Sequence, residues 1–212
     1  MSTPPETRYA TSGEVQIAYQ AFGVGPVLVY VPGWVSQLDL YWEEPAVVRF
    51  LRRLASFARV VVFDRRGMGL SDRVGPGAVP TLEERIDDIR AVLDELGVKR
   101  AAVFGQGYGT PIAIMFAATY PDRTSSLVLY SPSAKVGLKT DDYPWGATVE
   151  EQVAWRDHAI RMWGTNEFAA EWLARLAPSV AGGGAEGVGV VDQATAPRDR
   201  GDDALADHPV AL

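Results

Sequence analysis

Up to residue 131, the apolar and polar residues follow two patterns in turn, one typical of buried strands and one typical of helices. Four short apolar runs predict buried strands, because a run of four or five residues that is apolar on both faces is typical of a strand inside a sheet. The runs are residues 27–31, 60–63, 101–104 and 127–130. The intervening segments have apolar residues at helical spacing and predict helices at residues 43–57, 81–97 and 111–120. This alternation predicts an α/β fold with a mostly parallel sheet and helices on both faces.

Local signals add a hairpin and a helix start. Residues 8–22 alternate between polar and apolar in a way that is typical of strands, with a turn expected near Ser12 and Gly13. Thr81 and Glu84 form a capping-box pattern, which predicts that a helix begins there. Gly97 is placed to end that helix.

The pattern changes after Ser131. Residues 148–163 and 166–176 have helical character, and no further strand is predicted. Residues 181–212 are rich in Gly, Ala and Asp, contain no aromatic residue, and are typical of disorder. We therefore expect a folded part at 1–180, with cap-like helices at about 140–180, and a disordered or non-native tail.

Composition restricts the possible functions. A length of 212 residues suits one domain, and a net charge of -7 disfavours nucleic acid and anionic lipid as partners. The chain has no cysteine, which excludes disulfides, zinc-thiolate sites and cysteine nucleophiles. It has no signal-peptide pattern and no apolar run of the roughly 18–20 residues that span a membrane. We expect a cytoplasmic protein without membrane association.

The strongest chemical signal is the segment at residues 105–109, which reads Gly-Gln-Gly-Tyr-Gly between a predicted strand and an apolar helix. In serine hydrolases this setting holds the nucleophile elbow, whose pattern is Gly-x-Ser-x-Gly. Gly105, Gln106 and Gly109 match the frame of the elbow, and Gly107 occupies the nucleophile position. Because glycine has no side chain, covalent acyl transfer cannot begin there.

Two further segments strengthen this resemblance. Residues 31–34 (Val-Pro-Gly-Trp) follow the first buried strand, and residues 64–71 (Asp-Arg-Arg-Gly-Met-Gly-Leu-Ser) follow the second. In this order the three motifs resemble the α/β-hydrolase superfamily. Longer stretches are similar to bacterial hydrolase-like domains that are often fused to adenylate cyclases or transcriptional regulators. These stretches are residues 9–19, 31–36, 57–72, 82–90, 116–123 and 163–166.

The resemblance implies roles for individual residues. The backbone N–H groups of Trp34 and Tyr108 correspond to the oxyanion hole, and Gly107 takes the place of the serine of an ester or acyl hydrolase. Thr110 departs from the second glycine that usually ends the elbow in this group. A set of residues in the turn after the second buried strand is expected to brace the site. This set is Asp64, Arg66, Gly67, Gly69 and Ser71.

The chain's two histidines do not match the triad of this superfamily. A triad acid and a histidine follow the cap region there, in the order Ser, acid, His. His158 lies in a helical segment before that region, and His208 lies in the predicted tail. The resemblance therefore implies that the C-terminal strands, the acid and the histidine are missing, through truncation by a frameshift or decay into a gene remnant. We expect weak or no hydrolysis.

Other interpretations of the same residues stay open. The chain can be a hydrolase with a non-standard site, in which His158 activates water, or a non-catalytic ligand-binding or regulatory module. Residues 105–109 can also be a dinucleotide-binding turn, although Thr110 replaces its last glycine. Residues 64–66 can form a catalytic or phosphate-binding cluster. Tyr108 can act through its hydroxyl group, and the tryptophans can line a pocket or pack a cap.

Few partners fit these patterns. We expect a small acyl or ester molecule as the ligand, with no cofactor and no metal ion. If the fold ends near residue 180, the apolar strand at 127–130 lies at a sheet edge, and such an edge favours self-association.

Overall fold

The computed structural model describes residues 4–75, 78–132 and 137–176. These fall into two compact units, residues 4–132 and residues 137–176. The strands are β1 (Arg8–Ser12), β2 (Val15–Phe22), β3 (Val27–Val31), β4 (Arg59–Phe63), β5 (Ala101–Gln106) and β6 (Thr124–Tyr130). The helices are α1 (Leu38–Tyr41), α2 (Pro45–Ala55), α3 (Leu82–Glu95), α4 (Thr110–Thr119), α5 (Val149–Met162) and α6 (Asn166–Leu176). The predicted tail lies outside the described residues.

The first unit is built on one six-stranded sheet with the order β1-β2-β4-β3-β5-β6. β1 and β2 form an antiparallel hairpin, and β2 pairs antiparallel with β4. The remaining neighbours, from β4 to β6, are parallel. The predicted α/β class, with a mostly parallel sheet, is therefore confirmed.

Helices cover both faces of this sheet. α3 and α4 pack against one face, where Ile89 and Phe116 are fully buried against residues such as Val103. α1 and α2 pack against the other face, where Leu51 contacts a cluster that includes Val62. Each large aliphatic or aromatic side chain buried in this way stabilises the fold by roughly 1.5–3 kcal/mol.

Capping boxes begin two of the helices. In α3 the Thr81 side chain accepts a hydrogen bond from the Glu84 N–H group (3.2 Å), and the Glu84 carboxylate accepts one from the Thr81 N–H group (2.8 Å). Thr148 and Glu151 repeat the arrangement at the start of α5. The first box confirms the start predicted from the sequence, and each N-cap is worth about 1 kcal/mol.

Strand β2 is more buried than its alternating pattern indicates. Gln20 is fully buried, although the pattern places it on a polar face. Its side chain accepts a hydrogen bond from the Trp42 indole N–H (2.7 Å) and donates one to the Thr7 hydroxyl (2.9 Å). The alternating pattern did not predict this burial, because β2 lies between β1 and β4 and is covered on both faces. The Gln20 side chain can be buried since it has hydrogen-bond partners there.

Strand β6 lies at the edge of the described sheet. Leu127, Val128 and Tyr130 are exposed, whereas the central strands are buried. On the α2 side the cover is thin, because α2 contacts the sheet mainly at β4. In β5 the half-buried Phe104 therefore alternates with the fully buried Val103. Self-association through the β6 edge stays a prediction.

The second unit contains α5 and α6, which pack through aromatic side chains. The Trp155 and Trp172 rings meet edge to face, with centroids 6.2 Å apart. Phe168 lies between Trp163 and Trp172, at 5.9 Å and 6.2 Å. These tryptophans therefore pack the helix pair itself. Within the described residues, no helix combines the length and apolar character needed to cross a membrane.

Candidate active site

The turn at Gly107 joins β5 to α4. β5 ends at Gln106, residues 107–109 form one 3₁₀ turn, and α4 begins at Thr110. Gly107 has a φ of +49°, a left-handed conformation that other residues seldom adopt. A Cβ atom built on Gly107 would have no atom within 4 Å apart from its own chain neighbours. The position therefore has room for a side chain, whose cost would be backbone strain and not collision.

Gly105 and Gly109 flank the turn, and neighbouring atoms leave no room for a Cβ atom at either position. A Cβ on Gly105 would lie 2.8 Å from the Cβ of Ala113. A Cβ on Gly109 would lie 2.5 Å from the carbonyl oxygens of both Val31 and Pro32. The turn is therefore packed backbone to backbone on the loop that follows β3.

Thr110 closes the turn with its side chain. It is fully buried, and its hydroxyl donates a hydrogen bond of 2.6 Å to the carbonyl oxygen of Gly107. The sequence marked this residue only as a departure from the expected glycine. Its hydroxyl fixes the first turn of α4, whose N-terminus carries a partial positive charge that favours an anion.

Trp34 and Tyr108 lie on facing segments at the carboxyl ends of β3 and β5. Their ring centroids are 6.5 Å apart, and β3 pairs in parallel with β5. A Cβ on Gly33 would lie 3.4 Å from the carbonyl oxygen of Gln106. The two segments predicted to supply the oxyanion hole are thus neighbours.

Asp64 binds the turn that follows β4. It is fully buried, and its Oδ2 atom accepts hydrogen bonds from the N–H groups of Leu38 (3.2 Å) and Leu70 (2.9 Å). Burial raises the pKa of Asp64 above its ordinary value. A Cβ on Gly69 would lie 2.1 Å from the same oxygen. The carboxylate is therefore engaged by main-chain donors of the turn and of α1.

Ser71 and Gly67 tie this turn together. The Ser71 hydroxyl donates to the carbonyl oxygen of Asp64 (2.6 Å) and accepts from the N–H group of Ala18 in β2 (2.9 Å). The Gly67 N–H group donates to the carbonyl oxygen of Asp72 (2.8 Å), and Gly67 has a φ of +80°. The turn is thus closed on itself and attached to the sheet.

The two arginines of the turn have different partners. Arg66 binds the buried Asp88 of α3 through two nitrogens, with a shortest distance of 2.6 Å. This bond holds the pKa of Arg66 above its ordinary value. Arg65 is buried and donates to the carbonyl oxygen of Trp34, and burial lowers its pKa to about 10. Arg66 therefore attaches the turn to α3, and Arg65 attaches it to the loop at Trp34.

His158 lies in the second unit. Its Nε2 atom is 2.7 Å from the Glu171 carboxylate, and its ring is 5.8 Å from that of Phe168. His158 thus links α5 to α6. His208 lies outside the described residues.

One contact beside the elbow was not predicted from the sequence. The hydroxyl of Tyr30, in β3, donates a hydrogen bond to the Oε1 atom of Gln106. Burial raises the pKa of Tyr30 to about 12, so the hydroxyl stays protonated near neutral pH. No sequence pattern joins residues 76 positions apart. Their shared sheet edge, which follows from strand order, was the only available signal.

These contacts limit the chemistry of the site. Within the described parts of the chain, no group of three or more His, Cys, Asp or Glu side chains could hold a metal ion. The site does combine a helix N-terminus with a tight turn packed on a neighbouring loop. Such an arrangement can stabilise negative charge on a carbonyl oxygen.

The sheet is mixed, and the candidate site lies at the carboxyl ends of its parallel strands. Open-sheet α/β proteins bind their ligands at this edge. A sequence model described as alpha/beta hydrolase fold matches residues 26–162. The match spans more than half of the chain, and the chain belongs to this family.

Individual relatives support the assignment. A bifunctional esterase/perhydrolase of Acinetobacter calcoaceticus is 32% identical over 143 residues, which is 66% of this chain and 49% of the relative. A 2-hydroxy-6-oxononadienedioate/2-hydroxy-6-oxononatrienedioate hydrolase of Paraburkholderia phymatum is 39% identical over 102 residues, covering 43% of this chain and 35% of the relative. The chain thus spans about half or less of the length of these relatives.

A solved structure gives the same fold. A bromoperoxidase from Bacillus anthracis superposes with a TM-score of 0.64 at 21% identity, covering 79% of this chain and 59% of the other. At this identity the likeness concerns the fold alone.

Proposed function

We propose that this chain is an α/β-hydrolase-family protein of ester-hydrolase lineage that binds a small carbonyl compound at the elbow and hydrolyses it weakly or not at all. The observation that carries the proposal is Gly107, a residue without a side chain at the nucleophile position of an otherwise intact turn. Without an oxygen nucleophile there, no acyl-enzyme can form.

Binding does not need the missing serine. The turn is held by Gly105, Gly109 and Thr110, whose contacts are with backbone and with buried side chains. The loop at Trp34 is held by Arg65. A carbonyl oxygen placed between this loop and the N-terminus of α4 would lie near the partial positive charge of that N-terminus, which stabilises negative charge.

Turnover is expected to be low because the described residues of the first unit, which holds the turn, include no histidine. A general base must lie within hydrogen-bond reach of the proton that it removes. His158, the one histidine among the described residues, is paired with Glu171 in the second unit. Hydrolases that lose a triad member lose most of their acceleration, and in this chain the nucleophile position itself carries no side chain.

The rate of p-nitrophenol release from p-nitrophenyl acetate tests this proposal. We expect the wild-type protein to hydrolyse the ester at a rate close to that in buffer. Gly107→Ser should fold, since a Cβ there meets no atom within 4 Å, and should still be nearly inactive. Robust turnover by Gly107→Ser would contradict the proposal, because it would require a base placed beside the turn.

One observation favours a second candidate function. His158 and Glu171 form a histidine–carboxylate pair at 2.7 Å, which is the pairing that orients a histidine base. In this alternative the pair activates water directly. Turnover that is clear above the buffer rate in the wild type and lost in His158→Ala would support it and exclude the first candidate.

A further inference from the structure

Two buried polar atoms are unpaired where the loop after β3 meets the turn after β4. These are the Oγ atom of Ser36 and the Oδ1 atom of Asp64, and neither has a hydrogen-bond partner among the described residues. Ser36 is 2% exposed, and Asp64 is fully buried. Because buried polar atoms are nearly always hydrogen-bonded, two unpaired atoms on neighbouring side chains indicate a bond between them.

The other oxygen of the Asp64 carboxyl group is already bound. Its Oδ2 atom accepts hydrogen bonds from the N–H groups of Leu38 (3.2 Å) and Leu70 (2.9 Å). A bond between Oδ1 and Ser36 can have either direction. If Asp64 is ionised, the Ser36 hydroxyl donates and a negative charge stays buried. If Asp64 is protonated, Oδ1 donates to the Ser36 hydroxyl and no charge is buried.

The surroundings of Asp64 favour its protonated form. Burial raises the pKa of Asp64 more than its hydrogen-bond donors lower it, and Asp39 of α1 raises it further. Tyr41, also in α1, stays neutral because burial raises its pKa. The adjacent Arg65 donates to the carbonyl oxygen of Trp34, and within the described residues Asp64 has no ion-pair partner. A buried carboxylate without a cation is costly, because it loses its hydration and gains no opposite charge.

We propose that Asp64 is a positioning residue that is buried as a neutral carboxyl group and donates a hydrogen bond from Oδ1 to Ser36. Its Oδ2 atom holds Leu38, so the carboxyl group binds the loop after β3 at two points. Arg65 binds the same loop at Trp34. The proton on Asp64 thus helps to fix the segment that carries Trp34. This inference concerns the protein without ligand and does not rest on the proposed function.

The proton links the closing of the turn and the loop to pH. In any state in which the carboxyl group reaches water, the pKa of Asp64 returns to its ordinary value of about 4. The stability that the neutral group contributes is therefore fully present below about pH 4, and it is lost as the pH rises through the raised pKa of the folded protein. Higher pH favours the open state, since only there is the carboxylate hydrated.

The titration of Asp64 in the wild-type protein tests its protonation directly. Carbon-13 NMR of the aspartate Cγ atoms, with each signal assigned through its own backbone amide, follows every aspartate separately. We expect the Asp64 signal to keep its protonated position at pH values where the exposed aspartates are ionised. An Asp64 signal that titrates together with the exposed aspartates, or below them, would overturn the proposal. The buried and unpaired Nε atom of Arg65 would then be the candidate partner of the charge.

The substitution Asp64→Asn tests the proton through its effect on stability. The amide keeps an acceptor for the two N–H groups and a donor for Ser36 at every pH, as the protonated acid does. We expect the wild type and the variant to be similarly stable near pH 4. As the pH rises, the wild type should lose stability relative to the variant, by up to about tenfold in the unfolding equilibrium constant per pH unit. Parallel urea denaturation measures this difference.

Asp88→Asn is the matched control, because Asp88 is also buried but is paired with Arg66. This variant should unfold at a lower urea concentration than the wild type, since it leaves a buried cation without its partner. If Asp64→Asn also loses stability relative to the wild type as the pH rises, Asp64 is ionised in the folded protein and the proposal is wrong.

Amide hydrogen exchange tests the positioning role. Asp64 holds the N–H groups of Leu38 and Leu70, so these two amides report the opening of the loop and the turn. Each amide is compared with the same amide in Asp64→Asn, which cancels the general acceleration of exchange by hydroxide. As the pH rises, both amides should exchange severalfold faster in the wild type than in the variant. Equal exchange in the two proteins over the whole pH range would show that the proton does not hold the loop.

Discussion

The carboxylate of Asp64 lies where a side chain at Gly69 would have to be. A Cβ atom at position 69 would be 2.1 Å from Oδ2 of Asp64 and 2.3 Å from its Cγ atom. The same oxygen accepts the N–H group of Leu70, the next residue in the chain. The glycine thus lets the turn close around a buried acid, and this turn attaches to the loop at Trp34 through Arg65.

Gly69→Ala should therefore be strongly destabilising. Gly69 has a φ of +51°, and the added methyl group would also displace Asp64. We expect the free energy of unfolding to fall by about 3 kcal/mol or more, measured by urea denaturation. Gly13→Ala is the matched control, since Gly13 has a φ of +64° and no atom within 4 Å of a built Cβ. It should cost only about 1 kcal/mol, and equal losses in the two variants would mean that Asp64 does not restrict position 69.

The elbow offers a second matched pair of alanine substitutions. Gly109→Ala places a methyl group 2.5 Å from two carbonyl oxygens, so we expect a severe loss of stability or no folded protein. Gly107→Ala meets only the strain of a φ of +49° and should cost about 1–2 kcal/mol. Thermal unfolding followed by circular dichroism measures both. A tolerated Gly109→Ala would show that the loop after β3 is not packed on the turn.

The buried ion pair between Arg66 and Asp88 should be important for stability. The Arg66 and Asp88 side chains are 9% and 1% exposed, so removing the carboxylate leaves a buried cation with weaker partners. Asp88→Asn should lower the free energy of unfolding by about 3 kcal/mol. Glu6→Gln, which removes the exposed partner of Arg8, should cause no measurable change. If both variants unfold at the same denaturant concentration, the pair does not hold the turn to α3.

Tyr30 should make the fold sensitive to alkaline pH. Burial raises its pKa to about 12, whereas the unfolded chain ionises near the ordinary value of about 10. Its contribution to stability is therefore fully present below pH 10 and is lost as the pH rises through 12. At pH 8 Tyr30→Phe should be less stable than the wild type by about 1 kcal/mol, because the bond to Gln106 is gone.

The difference between Tyr30→Phe and the wild type should then close or reverse by pH 11. Only the wild type loses the stability that the neutral Tyr30 hydroxyl contributes, and its free energy of unfolding falls by about 1–3 kcal/mol. Parallel urea denaturation at pH 8 and pH 11 measures this change. A difference that stays constant between these pH values would contradict a protonated, buried Tyr30.

Local sequence signals predicted much of the fold. The capping box of Thr81 and Glu84 marked the start of α3, and the apolar run at residues 27–31 became β3. These signals are local, so they can be read without knowing the strand order. The burial of Gln20 was missed because it depends on β4, a strand that is distant in sequence.

The candidate site was predictable in outline only. The glycine frame of residues 105–109 identified the turn, since close backbone approach leaves a motif in the sequence. The bond from Tyr30 to Gln106 and the partial exposure of Phe104 arise from strand order and helix placement. Neither leaves a motif, and so neither could be predicted.

The most direct test of the central claim is a proton NMR time course of p-nitrophenyl acetate with the wild-type protein, using saturation transfer from the protein. If the protein binds the ester and hydrolyses it weakly or not at all, saturation is transferred to the ester protons while acetate accumulates at a rate close to that in buffer. Acetate that accumulates well above the buffer rate would contradict weak or absent hydrolysis, and an ester that receives no saturation would contradict binding.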